Sequence, residues 1–472
     1  MVYIDKDSAT PFYMQIYAQI KEEILSGDIS KGSVLPGTRL LAQSLGIGRN
    51  TVNNAYKQLE VEGYIVAQKG AGFIVLDVFE NDLPIYKKSN DSQISIQNAS
   101  IHEKKENYKY NFQFGNFPQD NFPVNLWRRY TCEILNGSDM QAINKYQDKQ
   151  GDLGLRTELK KFLKRSRGVN CSEDQIIVGC GLHYLLEIVC KLIANKGKTI
   201  AIEEPGYHGS RDVFINNEYA IKPISVTENG LDFDALQKSK ASAIYVTPSH
   251  QFPLGTVLTL QKRKQLLSWA IANNAYIIED DYDSEFRYST RPIPSLQSID
   301  CDDRVIYIGT FSKSLSPSIR VNYMVLPNQL LPVFKNAFHS YQSTVSWLTQ
   351  RILYKYLESG QYERHLRKVS LVYRKRHDIL VQTITQLTGD KVIIHGRGAG
   401  MHLVLEFING EEQEWLITRA KDFGIKVYST MPYWMNKSNC LKNTLFIGFS
   451  SLDEKEIVNG ITILNKAWFE NI

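Results

Sequence analysis

Asp280 and Tyr282, in the run AYIIEDDYDSEF, and Lys313, in VIYIGTFSKS, are side chains whose types could do chemistry together. A lysine amine kept from water is a nucleophile toward an aldehyde, with which it forms an imine. Each of the three lies just past a short β-rich run. Ligands of open α/β sheets sit beyond the carboxyl ends of the strands, so residues this far apart in sequence can converge on one crevice. Taken alone, a lysine is more often a solvated surface group and a carboxylate run an acidic loop. The surrounding elements decide between the two.

From Tyr110 onward, helical stretches alternate with the runs TIAIEEP, AIYVTPS, AYIIEDD and RVIYIGTFS. β-rich runs separated by helices predict an α/β domain with a mostly parallel sheet covered on both faces. The chain's 472 residues exceed one ordinary core, and three segments are expected: a head over 1–78, a linker over 79–109 and a large domain over 110–472. In the head, apolar spacing predicts a helix over 12–26 stopped by Gly27, and helices over 39–45 and 49–62 separated by Gly46. The run YIVAQKGAGFIVL then reads as a hairpin, which completes a winged helix-turn-helix. Between the two, KKSNDSQ and HEKKEN read as a polar, flexible tether.

Hydrophobic residues at 43% and charged residues at 22% exclude general disorder. A formal charge of +5 is too mild to name a nucleic-acid partner. The six cysteines are scattered without a CxxC pair, so neither a disulfide framework nor a metal site is expected. No uncharged run reaches the ~20 residues that span a bilayer. A cytoplasmic protein with no membrane partner is the expectation.

The segment LPGTRLLAQSLGIGRNTVNNAYKQLEVEGYI resembles the winged helix-turn-helix of the GntR superfamily. The third helix would enter the major groove of double-stranded operator DNA with its first residues nearest the bases. Arg49 can donate in bidentate fashion to guanine, and Asn50, Thr51 and Asn53 can bond bases or phosphates. The resemblance implies that Arg39, Arg49 and Thr51 contact operator DNA and that Gly70 and Gly72 form the wing tip. Gly48 stands where the superfamily usually has Ser or Thr.

The motifs EEPGY, TPSHQFPLGT, IIEDDYDSEF and GTFSKSLSPSIR, in this order, resemble the fold-type I aminotransferases. Together with the head, they resemble the MocR/GabR group of transcriptional regulators. The resemblance implies pyridoxal 5'-phosphate as cofactor, with Lys313 forming the internal aldimine and Asp280 pairing with the pyridine nitrogen. Tyr282 would bond the phenolic oxygen and Tyr207 would stack on the ring. Gly181, Leu182, His183, Thr310, Ser312 and Arg320 would hold the phosphate. Tyr146 matches a tyrosine that reaches the neighbouring subunit's phosphate, which implies a homodimer. Phe252 replaces the Asn that many aminotransferases place before their Pro.

A regulator is expected rather than an enzyme, the alternative being an aminotransferase with an accessory DNA-binding head; residual transaminase activity stays open. Aminotransferases hold the substrate carboxylate with a small-domain arginine. In LFIGFSSL the corresponding positions are read as Ser450 and Ser451. Arginines of the branch that responds to 4-aminobutyrate align on Gly209 and Ser451, with Arg211 a nearby substitute. The expected signal is therefore pyridoxal phosphate itself, the runner-up an amino compound.

Overall fold

The structure, a computed structural model, describes residues 2–77 and 108–470, apart from 116, 118–120, 228–229 and 289–292. The chain divides into two units, Met1–His102 and Glu103–Ile472. Nearly all of the expected linker, 79–109, lies outside the described residues.

The first unit comprises α1 (Phe12–Leu25), β1 (Val34–Leu35), α2 (Thr38–Leu45), α3 (Arg49–Val61), β2 (Ile65–Gln68) and β3 (Gly72–Val75). Ile16, Ile20 and Ile24 fall one turn apart on α1 and are buried with Val52, Ala55, Tyr56 and Leu59 of α3. The hairpin pairs Ile65 with Val75 and Gln68 with Gly72. β1 adds a third strand, with Val34 opposite Ile74. At two residues it is too short for alternation to announce it.

The second unit carries β4 (Tyr110–Asn111), β5 (Ile176–Gly179), β6 (Thr199–Glu204), β7 (Ala220–Thr227), β8 (Gly230–Leu231), β9 (Ala243–Val246), β10 (Tyr276–Asp281), β11 (Val305–Thr310) and β12 (Asn322–Val325). Further on come β13 (Val392–His395), β14 (His402–Phe407), β15 (Ile425–Lys426), β16 (Tyr428–Ser429) and β17 (Thr444–Gly448). The main sheet runs β5-β12-β11-β10-β9-β6-β7-β8. β11, β10, β9, β6 and β7 pair in parallel, while β12 and β8 run antiparallel to their neighbours. Ile278 and Ile306 pack on one face with Leu185 and Val189 of the helix Leu182–Ile193. Ile277 and Val305 pack on the other with Leu266 and Ala270 of the helix Leu260–Ala272.

A smaller antiparallel sheet, β13-β14-β17-β16, forms the C-terminal subdomain. Its core recruits the start of the unit: β4 pairs with β15, and Phe112 is fully buried among the subdomain's apolar side chains. Gly448 permits this approach, since a Cβ there would lie 2.6 Å from the backbone of Phe114. Phe112→Ala is expected to cost the second unit roughly 3 to 5 kcal/mol, read as a lower urea midpoint. An unchanged midpoint would mean that the segment is no part of that core.

Candidate functional site

The acidic run at the end of β10 is buried, and each carboxyl meets a different partner. Glu279 accepts from the backbone N–H groups of Leu296 and Gln297 at 2.7 and 2.9 Å. Asp281 accepts a two-pronged contact from Arg167 at 2.7 and 3.1 Å and a bond from the Tyr307 hydroxyl at 2.6 Å. Asp283 lies 2.9 Å from His250 Nδ1. Asp280 accepts from the Tyr245 hydroxyl, and among the described residues no cation pairs with it at salt-bridge distance. Burial raises its pKa to about 7, with Asp281 and Asp283 adding to the rise and Tyr245 and Lys313 opposing it.

Asp280 opens into a cavity of about 200 Å³ that also collects Leu182, Tyr207, Tyr282, Thr310, Ser312, Lys313 and Arg320. Eight of the expected cofactor-site residues therefore share one space. The Lys313 ammonium lies 3.9 Å from the centre of the Phe114 ring. Desolvation lowers its pKa to about 8, against the attraction of Asp283 and Asp280. Such an amine carries a nucleophilic fraction near neutral pH.

Gly181 caps the helix Leu182–Ile193 at φ 116° with no side-chain cap, leaving the helix's first N–H groups unoccupied by a capping side chain. The Arg320 guanidinium lies against it, so that a Cβ at 181 would fall 2.3 Å from Nη2. The Ser312 N–H donates to Thr310 Oγ1 at 2.9 Å, tightening the turn after β11. His183 follows on the same helix, outside the cavity's lining, with its ring stacked 6.5 Å from Tyr207. Tyr146 lies apart from the cavity and is 92% exposed. Phe114, Gly115, Thr247, Phe252, Pro317 and Asn322 complete the wall. Phe114 arrives on the β4 segment from the far end of the domain, and no local pattern points to it.

The small-domain strand also meets the site differently from the sequence reading. Ser450 is buried, and the Ser451 hydroxyl contacts the carbonyl of Asn111; neither lines the cavity. From β17, Phe446 packs against two residues of the lining, its ring 5.6 Å from that of Phe252 and 5.8 Å from that of Phe114. Arg211 donates to the carbonyl of Pro432 at 3.3 Å and is not part of the cavity's lining. At Gly209 a Cβ would meet the Tyr207 ring at 2.6 Å, so a longer side chain requires that ring to move.

Sequence spacing gave no metal site, yet the fold gathers His250, Asp283 and His402, whose ligand-type atoms lie within 4.8 Å of one another.

In the head, Arg49 opens α3 behind an uncapped Gly48, is exposed, and donates to Thr38 Oγ1 at 3.4 Å. Arg39 and Asn50 are exposed, and Thr51 and Asn53 half-buried, on α2 and the first turns of α3. Gly70 and Gly72 take φ of 88° and 94° at the hairpin turn, where residues with a Cβ are strained.

Residues 12–75 match the family "Bacterial regulatory proteins, gntR family", and residues 108–434 match "Aminotransferase class I and II". The chain is 30% identical to the probable rhizopine catabolism regulatory protein MocR of Rhizobium meliloti, over 99% of this chain and 96% of that protein. The chain belongs to the MocR/GabR group of transcriptional regulators. YhdI, an HTH-type regulator of Bacillus subtilis, is 37% identical over 99% of this chain and 97% of its own. The pyridoxine biosynthesis regulator PdxR of Corynebacterium glutamicum is 28% identical over 96% and 95%. A kynurenine aminotransferase of Pyrococcus horikoshii shares the fold of the group's large domain, at a TM-score of 0.69 and 24% identity over 77% of this chain and 91% of its own. That fold, in class I and II aminotransferases, implies pyridoxal phosphate. No helix among the described residues is long and apolar enough to cross a membrane.

Asp280 has a measurable consequence for this regulator. The folded chain keeps its proton up to about pH 7, whereas the unfolded chain releases it near 3.8. Folding therefore takes up a proton in between, and stability falls as pH rises through that window. In cofactor-free protein, Asp280→Asn is expected to flatten the fall, read as a smaller change in thermal midpoint between about pH 5 and about pH 8. An identical slope would mean that this carboxyl is ionised throughout.

Proposed function

We propose that this regulator holds pyridoxal 5'-phosphate in the Lys313 cavity and couples that site to operator binding by its GntR-type head. The supporting observation is a cavity with a buried amine of lowered pKa and a buried carboxyl lacking a cation. The residues fit the group. Asp280 meets a protonated ring nitrogen, which restores the charge that burial denies it. Tyr207 walls the ring and Tyr282 donates to the phenolic oxygen. Ser312, Thr310, Arg320 and the N–H groups from Gly181 to His183 offset the phosphate's charge. When bound, the cofactor supplies an aldehyde for the Lys313 amine and an electron-withdrawing ring.

Tyr146, outward and exposed, is free to reach a second copy, and a homodimer carries two heads. In each, Arg49 reads a base in the major groove, Asn50, Thr51 and Asn53 bond bases or phosphates, Arg39 braces the backbone, and the Gly70–Gly72 tip lies along the minor groove. A ligand shifts the DNA-bound population only by its differential affinity for the two arrangements.

Regulation is favoured over transamination because, among the described residues that line the cavity, no arginine is left over for a substrate carboxylate. Arg320, the one arginine among the described residues of that lining, lies against Gly181, and β17 packs Phe446 against Phe252. The same wall argues against 4-aminobutyrate as signal. End-to-end similarity to a pyridoxine biosynthesis regulator supports the cofactor itself as effector, an amino compound without a carboxylate being the second reading.

The purified chain is expected to show a visible absorption band with pyridoxal phosphate, abolished by Lys313→Ala; a band that survives the substitution removes Lys313 from its role. Arg49→Ala is expected to weaken operator binding by roughly 1 to 3 kcal/mol while the band persists, measured by gel shift on the chain's upstream DNA. Unaltered binding would move the reading head elsewhere. Titration with 4-aminobutyrate is expected to leave the spectrum in place, and a saturable shift would overturn the argument from Phe446 and Gly209.

A further inference from the structure

Behind Tyr282 lies a buried pair that the roles above leave unused. His250 Nδ1 stands 2.9 and 3.1 Å from the two carboxylate oxygens of Asp283 and 3.0 Å from the Tyr282 hydroxyl. His250 and Asp283 are 2% and 1% exposed, so water does not satisfy them. A carboxylate only accepts, which places the imidazole hydrogen on Nδ1, pointing at Asp283. Nε2 has no partner among the described residues, and a hydrogen placed there would be buried without an acceptor. With its hydrogen on Nδ1, His250 cannot accept from Tyr282, and the tyrosine hydrogen is left to turn into the cavity. With the other tautomer, a lone pair 3.0 Å away would draw that hydrogen out of the cavity. Phe252, on the same wall, brings no donor to replace it.

The surroundings hold this arrangement. His402 Nε2 donates to the carbonyl of Pro253 at 3.0 Å, and its ring centre lies 5.1 Å from that of His250. Burial lowers the His402 pKa well below 6.5, so it stays neutral and brings no second charge to the pair. Desolvation, together with Asp283, Asp280, Glu203 and Asp281, keeps the Tyr282 hydroxyl protonated. Gly400 leaves room for the imidazole, since a Cβ there would fall 2.1 Å from its Cε1.

We infer that Asp283 and His250 are positioning residues: Asp283 fixes the His250 tautomer that directs the Tyr282 hydrogen into the cavity, toward the phenolic oxygen of a bound cofactor. The inference rests on the cofactor reading above. Losing a donor disfavours the ionised phenolic oxygen. In full-length reconstituted protein, Tyr282→Phe and Asp283→Asn are therefore each expected to raise the pH midpoint of the visible band by about one unit. Because both act through one hydroxyl, the double variant is expected to move no further than Tyr282→Phe alone. An Asp283→Asn midpoint equal to wild type, or a double variant that sums the two shifts, overturns the inference. Should Asp283→Asn fail to fold, long-range N–H spectra of histidine-labelled wild-type protein decide: His250 is expected as the Nδ1–H tautomer, and Nε2–H refutes it. A wild-type chain that shows no visible band with pyridoxal phosphate sinks the cofactor reading instead, leaving the tautomer measurement to judge the pair.

Discussion

The two-pronged ion pair between Arg167 and Asp281 is the contact on which the rest of the large unit turns. Its side chains are 2% and 1% exposed, and an acid so deeply placed cannot stay charged without a partner. Arg167 ends the helix Leu153–Arg167, and its guanidinium also reaches Ser249, so one side chain ties that helix, the end of β10 and the loop after β9 together. Removing one member of such a pair costs roughly 3 to 5 kcal/mol because it leaves the other charge stranded.

With Asp281 neutralised, its neighbours can be spent separately. Glu279 faces backbone N–H groups, Asp283 faces an imidazole, and Asp280 faces the cavity. The strand pleat sends Asp280 and Asp281 to opposite sides, which is why two adjacent carboxyls can serve structure and ligand at once. Lys313, on the loop beyond the neighbouring strand, is a cation of the same cavity, and burial has already weakened its hold on a proton. An amine with a weakened hold on its proton and a carboxyl with a strengthened one are the pair on which the proposed cofactor reading rests.

Beside the cavity lies an aromatic cluster. Phe446 meets Phe114 and Phe252 in T-shaped contacts, and the Phe114 and Phe252 rings are tilted against each other. A cavity with polar and aromatic lining, in a chain of a regulator family, accords with the proposed reading of a domain that senses a bound molecule. It fits a chain whose head is built to grip DNA.

Much of this was legible in the residues. Helix spacing and glycine stops placed α1, α2 and α3 to within a residue, because local periodicity and turn chemistry are encoded locally. The β-rich runs located β6, β9, β10 and β11, and the convergence of Asp280, Tyr282 and Lys313 on one cavity followed from their places at strand ends. What neighbours across the sheet contribute was not visible. β1 is two residues long, Phe114 reaches the cavity from the first residues of the large unit, and Ser450 and Ser451 do not line the cavity, while Phe446 of β17 packs against two residues that do. The direction of the Tyr282 hydrogen depends on His250 and Asp283, which are 33 residues apart in the chain. Residue types and spacing fixed which groups could act. Which of them face one another depends on long-range packing that no local pattern records, and only the folded chain decided it.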